Sequence, residues 1–233
     1  YFALKPSSII QGKYLWTLVT HMFVHGGLIH LFFNMFTLYF LGSLAERIIG
    51  KKRFLRFYLI SGVLVGILTA TLSWYLGNTE LGARVFGSPI TPMVGASGAI
   101  FGVLGILAIL IPKLKLYLIV GPLLVIILQF ILNSAFPAIS YMLNFISTAL
   151  IFIMIFAMLS INPKLSKIAL PIELPMWLAP LIAIIPLTIL SFFIELPIGN
   201  VAHFGGFLIG IFYGIYLRSK YKRKIKILQR MFK

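Results

Sequence analysis

Residues 95–111 read Gly95-Ala96-Ser97-Gly98-Ala99-Ile100-Phe101-Gly102-Val103-Leu104-Gly105-Ile106-Leu107-Ala108-Ile109-Leu110-Ile111. No charge interrupts the run, and a helix that crosses a bilayer needs about 20 residues of this kind. Six more apolar stretches lie at roughly 28–49, 57–76, 116–134, 141–161, 174–194 and 201–217, separated by Lys, Pro, Asn or Gly. Backbone groups in lipid must be bonded within their own segment, so all seven are expected to be helices. Two of them, 95–111 and 201–217, are short, which points to a locally thin membrane or to untilted helices.

Composition agrees. Of 233 residues 61% are hydrophobic and 10% charged, against about 45–50% and about 25% in soluble domains. A soluble enzyme, a disordered chain and a coiled coil are excluded. The expected fold class is all-α, a polytopic transmembrane helix bundle in a lipid bilayer. The net charge of +16 raises nucleic acid as a partner, but the placement of the charge answers otherwise. Arg47, Lys51, Lys52, Arg53 and Arg56 follow the first stretch. Lys113 and Lys115 follow the third, and Lys164 and Lys167 the fifth. The segment 218–233 after the last stretch carries eight more. These 17 of the 20 basic residues fall on one face, leaving Lys5, Lys13 and Arg84 on the other. That asymmetry marks the basic face as cytoplasmic, makes 218–233 a basic cytoplasmic tail, and removes nucleic acid. Seven spans then put Tyr1 outside, so one upstream membrane helix is expected to be missing from this fragment.

The chain has no Cys and no Asp; its four acids are Glu46, Glu80, Glu173 and Glu195. Thiol chemistry, aspartyl dyads and Asp-anchored triads are therefore unavailable. What remains is three polar clusters at membrane depth, where polar side chains are costly and mark function. The first runs His21-Met-Phe-Val-His25-Gly-Gly-Leu-Ile-His30-Leu-Phe-Phe-Asn34. His30 and Asn34, four apart, share a helix face and both carry nitrogen donors; interhelical packing bonds are the alternative. His21 and His25 precede the helix and are expected in the outer interface. Their i, i+4 spacing lacks the glutamate of H-E-x-x-H, so no metal is expected.

The second cluster is Pro92-Met-Val-Gly95-Ala96-Ser97-Gly98-Ala99-Ile100-Phe101-Gly102. Ser97 near a helix N-terminus faces free N–H groups that can hold an oxyanion. The elbow G-x-S-x-G is absent because residue 99 is alanine. Gly98 and Gly102, with Gly95 and Gly105 on adjacent turns, also form a packing face of small residues. The third cluster is Asn200-Val-Ala-His203-Phe-Gly205-Gly206, continued by Gly210 and Gly214. Gly206, Gly210 and Gly214 form a seam at i, i+4, i+8 with His203 one turn above it. If the two glycine seams face each other, Ser97 and His203 meet as a nucleophile and its base. The stretches bearing Ser97, His203 and His30 all run inward from the outside, so these groups share the outer half of the bilayer, within reach of water.

Together the three clusters resemble the rhomboid family of intramembrane serine proteases, on His25-Gly-Gly-Leu-Ile-His30-Leu-Phe-Phe-Asn34, Gly95-Ala-Ser97-Gly98 and Ala202-His203-Phe-Gly-Gly206. The resemblance covers residues 14–111 and about 174–217. It implies a six-helix core with a Ser–His dyad in a cavity below the outer surface. It makes Ser97 the nucleophile, His203 the base and then acid, and His30 and Asn34 side-chain oxyanion donors. It makes Phe101 an aromatic stacked on the histidine, with Gly95 and Gly98 supporting the serine, and Glu46 structural. The family often has Trp-Arg where this chain has Trp16-Thr17. Residues 112–173 hold two helices where that core has a short connection, so 116–134 and 141–161 are read as an inserted hairpin within a membrane protease domain of residues 1–217.

The expected activity is serine-type endopeptidase cleavage in or next to transmembrane segments of protein substrates. It needs no cofactor and no metal, and takes place in a multi-pass cell-membrane protein whose site opens to the extracytoplasmic side. Two rivals stand beside it. A transporter would space polar groups through the full depth, whereas these are confined to the outer half. An inactive rhomboid-like chaperone would generally lack the serine or histidine.

Overall fold

The computed structural model describes residues 1–159, 165, 167–193, 196 and 199–231. Of the residues named above, Lys164 and Glu195 lie outside the described residues, as do the ends of the 141–161, 174–194 and 218–233 segments. The chain forms two compact units, one of residues 1–114 with 176 onward, the other of residues 115–175.

The larger unit is a helix bundle. Leu28–Ile49 and Lys51–Leu76 meet at Gly50, whose φ of +88° suits glycine and lets the chain reverse at once. Leu28–Ile49 is not one uninterrupted α-helix: Leu38–Gly42 widens into a π turn between the α-helical pieces Leu28–Thr37 and Ser43–Ile49. Lys51–Leu76 takes its basic residues into its first turns, beginning six residues before the expected 57. After the short helix Glu80–Phe86 come Ser97–Leu110, Ala179–Ser191, Asn200–Lys220 and finally Lys222–Met231.

Ser97–Leu110 is the centre of the core. Its 14 residues span about 21 Å, less than the roughly 30 Å of hydrocarbon, yet nearly every one is buried by neighbouring helices. A helix sheathed in protein has no lipid thickness to match, so its shortness needs no thinned membrane. The other stretch read as short is not short: Asn200–Lys220 has 21 residues, because Arg218 and Lys220 continue it beyond the apolar run. The segment after it is no loose tail either, since Lys222–Met231 is helical, Ile225 is buried and Gln229 donates to the Leu110 carbonyl at 3.0 Å.

The glycine seams of Ser97–Leu110 and Asn200–Lys220 interlock, and this is the most extensive helix contact in the unit. A Cβ placed on Gly206 would run into the Gly98 carbonyl, and one on Gly210 into the Gly102 carbonyl. One on Gly105 would strike the Phe207 carbonyl and lie 2.9 Å from the Gly210 Cα. The backbones touch, which only glycine permits.

Among the described residues four helices are long and apolar enough to cross a membrane: Leu28–Ile49, Lys51–Leu76, Pro137–Met158 and Asn200–Lys220. Three are shorter: Ser97–Leu110, Val120–Ala135 and Ala179–Ser191. The expected spans at 116–134 and 174–194 are shortened because each begins in other structure. Lys115–Ile119 is a strand paired antiparallel with Pro171–Pro175, Lys115 opposite Pro175 and Ile119 opposite Pro171. Two prolines in five residues deny helical backbone bonds to the second strand, and the first is then drawn out to pair with it. Lys115 and Glu173 form an ion pair across the ladder. The rest of this unit packs Val120–Ala135 against Ser140–Leu159, with Gln129 and Asn133 both donating to Asn144 Oδ1 at 2.7 Å.

Replacing Gly210 with alanine is expected to force the seam apart and cost about 1–3 kcal/mol, as overpacked substitutions do. Thermal unfolding in detergent micelles would show it as a lowered midpoint.

Candidate functional site

Ser97 is the first residue of its helix, with Ala96 at the N-cap and Ile100 N–H already bonded to the Ala96 carbonyl. The first N–H groups have no helical acceptor and face the space around the serine. His203 lies in the first turn of Asn200–Lys220. With the seams engaged one turn below, His203 Nε2 stands 2.9 Å from Ser97 Oγ. Phe101, one turn after the serine, stacks on the His203 ring with centroids 4.5 Å apart and planes 30° apart. Gly98 sits where Ser97–Leu110 crosses two neighbours: a Cβ there would meet Val65 at 2.7 Å and the Ala202 carbonyl at 3.3 Å.

His30 reaches the same place from Leu28–Ile49. Its ring fills the space beside Gly95, where an added Cβ would lie 2.8 Å from both Cε1 and Nε2. Gly95 also has φ +121°, so glycine is required twice over. The Gly26 N–H donates to His30 Nδ1 at 3.3 Å. With Nδ1 accepting, the proton of the neutral ring sits on Nε2, the nitrogen beside Gly95. The backbone thus sets the tautomer that leaves Nε2–H free to donate. Asn34 is buried and donates its amide to the His30 carbonyl at 2.8 Å, holding to its own helix; its second N–H remains. His25 stands edge-on to His30, centroids 5.0 Å apart, with its Nε2 buried and unbonded.

His21 departs from expectation. It is not in the outer interface but buried, with Nδ1–H donating to the Thr17 carbonyl at 2.8 Å. Its ring packs near Gly66 of Lys51–Leu76, and Met22 fills the notch at Gly62 one turn away. The His21 carbonyl accepts from Gly95 N–H at 2.9 Å, tying this loop to the residue that cradles His30. The Trp16-Thr17 pair also finds partners. The Trp16 indole donates to the Tyr1 carbonyl at 3.1 Å, and buried Thr17 donates to the Tyr14 carbonyl at 2.8 Å. Leu4 and Met93 exchange two backbone bonds, so the N-terminal segment clamps the loop that leads to Ser97.

Sequence reading assigned no role to Asn200, Gly62 or Gly66. Asn200 Nδ2 donates to Ser191 Oγ at 2.9 Å and to the Arg84 carbonyl at 3.5 Å, and Thr188 Oγ1 bonds Asn200 Oδ1 at 3.4 Å. It pins the start of the histidine helix to Ala179–Ser191 and Glu80–Phe86. Gly62 and Gly66 carry the same i, i+4 signal as the recognised seams. Glu46 lies in the first turn of Ser43–Ile49.

Burial holds the His21 imidazole below its ordinary value of 6.5, offset in part by the Thr17 and Leu18 backbone. The unfolded chain then binds a proton that the folded chain refuses, so this stabilisation is intact above about pH 6.5 and is lost as pH falls below it. Thermal unfolding between about pH 7.5 and pH 5 should show the loss, and His21→Gln, which keeps a donor for Thr17, should reduce it. Gly95→Ala should strain its own backbone and displace the His30 ring, lowering the unfolding midpoint by an amount equivalent to about 1–3 kcal/mol.

Residues 12–149 match the family described as Rhomboid domain. The chain is 37% identical over 106 residues to rhomboid protease GluP of Bacillus subtilis (strain 168), covering 46% of this chain and 18% of that protein. It is 38% identical over 102 residues to RHOMBOID-like protein 4 of Arabidopsis thaliana, covering 44% and 22%. With rhomboid protease AarA of Providencia stuartii the identity is 36% over 91 residues, covering 38% and 31%. The chain spans less than a third of the length of each of these relatives. No solved structure matches it.

Proposed function

The chain belongs to the rhomboid family, and on that premise we propose that it is an intramembrane serine protease, hydrolysing peptide bonds in or next to transmembrane segments of membrane proteins. The observation that carries this is the 2.9 Å contact between Ser97 Oγ and His203 Nε2 at the mouth of an interlocked helix pair. In this reading Nε2 accepts the serine proton as Oγ attacks the scissile carbonyl. The imidazolium then gives that proton to the departing amine, leaving an acyl-serine. Water enters and His203 takes one of its protons as the oxygen adds to the acyl carbon; the imidazolium returns that proton to Ser97 Oγ as the acyl–oxygen bond breaks, releasing the acid and restoring both residues.

The oxyanion formed at each addition would be held by His30 Nε2–H, by the unbonded N–H of Asn34 and by free backbone N–H groups at the start of the serine helix. Phe101 keeps the imidazole plane in place. With no aspartate in the chain, and Ser97 the side-chain hydrogen-bond partner of His203 among the described residues, the pair is read as a dyad. The 17 to 3 division of basic residues supports a cytoplasmic C-terminus and a site open to the extracytoplasmic side. A stable helix hides its backbone, so substrates would carry small or helix-breaking residues near the outer interface. The protease domain would be residues 1–217, with 112–173 an inserted region.

Incubating the reconstituted protein with a transmembrane substrate tests this. Ser97→Ala and His203→Ala should each lower cleavage by about 10⁴-fold or more, and an unchanged rate in either refutes the dyad. A fluorophosphonate should label the protein at Ser97 and fail with Ser97→Ala. His30→Ala and Asn34→Ala should each reduce kcat by about 10²–10³-fold.

A further inference from the structure

We propose that the helix Lys222–Met231 is a binding site for anionic phospholipid headgroups. The proposal rests on the membrane-spanning fold and is independent of the protease reading.

The helix lies across the end of the bundle. Asn200–Lys220 ends at Tyr221, whose φ of −118° and ψ of 37° leave the helical region. Gly214 of the spanning helix lies beside Ile109, which sets the level of the neighbouring Leu110. Continued straight, Gln229 would lie about 20 Å beyond that level. Instead it donates to the Leu110 carbonyl, one of the orphan acceptors at the C-terminus of the serine helix. The chain therefore turns at Tyr221 and runs along the membrane face.

Its two sides differ. Ile225 is buried and Gln229 half-buried on the side that meets the bundle. Arg223, Lys224, Lys226 and Arg230 are exposed around the rest of the helix, with Lys222 exposed at its start, and among them stands Ile227, 62% exposed. An amphipathic helix usually buries its apolar side in lipid; here the protein takes that side and leaves the cations outward, with one aliphatic group for the acyl boundary. Around it the face is consistently basic. Arg53 donates to the Tyr221 hydroxyl at 3.0 Å and lies over that ring, and Lys220 donates to the Tyr216 hydroxyl at 2.8 Å. Lys51, Lys52 and Arg56 at the start of the adjacent helix are exposed. Glu46 is the acid on the helix ends that meet here, far too little to neutralise the arc.

Lipid is the favoured anion for two reasons. Tyrosines paired with cations sit at headgroup level, and direct continuity with a spanning helix keeps the arc beside the leaflet, where headgroups are concentrated. Each Lys or Arg near an anionic bilayer contributes roughly fivefold in affinity.

Because the chain has no cysteine, Ile227→Cys provides a single site for an environment-sensitive fluorophore. The full chain would be placed in nanodiscs of phosphatidylcholine, with or without phosphatidylglycerol. The expected result is a blue shift that requires phosphatidylglycerol and is reversed by salt. A variant combining K222Q, R223Q, K224Q and K226Q, all surface changes, should bind phosphatidylglycerol about 600-fold more weakly. Equal emission in the two bilayers would overturn the proposal, as would an undiminished shift in that variant. So would the same shift from free glycerol 3-phosphate in phosphatidylcholine discs, which would assign the arc to a soluble anion.

Discussion

Backbone contact between two glycine-seamed helices is the constraint on which the rest depends. In lipid there is little hydrophobic gain from bringing apolar helices together, so close van der Waals packing must hold them. Gly98, Gly102 and Gly105 on one helix meet Gly206, Gly210 and Phe207 on the other with backbone against backbone. That approach sets the separation of the first turns, and the first turns carry Ser97 and His203. A rigid seam is a more exact ruler than a loop, and Ser97 Oγ and His203 Nε2 stand at hydrogen-bond distance because of it.

Everything else at the site is mounted on this pair. Phe101 fixes the ring plane of His203 from one side of the seam. Asn200 ties the top of the histidine helix to two other helices, and Gly95 opens space for His30. The loop before Leu28–Ile49 is plugged by Met22 and His21 into the Gly62–Gly66 groove, and through the His21 carbonyl it holds Gly95. Polar groups here are satisfied by neighbouring backbone far more than by charge, which suits a low-dielectric setting where ion pairs are costly.

The seams and the residues above them were legible because glycine spacing and single polar residues in apolar runs are one-dimensional signals. Ser97 and His203 stand together as facing glycine seams imply, Phe101 stacks on His203 as the family resemblance implies, and the packing of His30 against Gly95 had no signal in spacing; His21 and the strand Lys115–Ile119 differ from the reading of their sequence. His21 has the same local pattern as an interfacial histidine, and its burial depends on a glycine groove some 40 residues away in the chain. Lys115–Ile119 is apolar enough for a span and becomes a strand through proline-bearing residues 171–175. Hydropathy records how greasy a segment is, and neither case turns on that. The π turn at Leu38–Gly42 has no account in sequence pattern.

The contact between Ser97 and His203 joins residues 106 positions apart, with the whole of the 115–175 unit made between them. During synthesis the serine helix emerges long before its partner and has no seam to fit. The pair cannot meet until Asn200–Lys220 has entered the bilayer and slid its glycines home. Assembly order is thus written into chain connectivity: a nascent molecule that has not yet added Asn200–Lys220 lacks the Ser97–His203 contact.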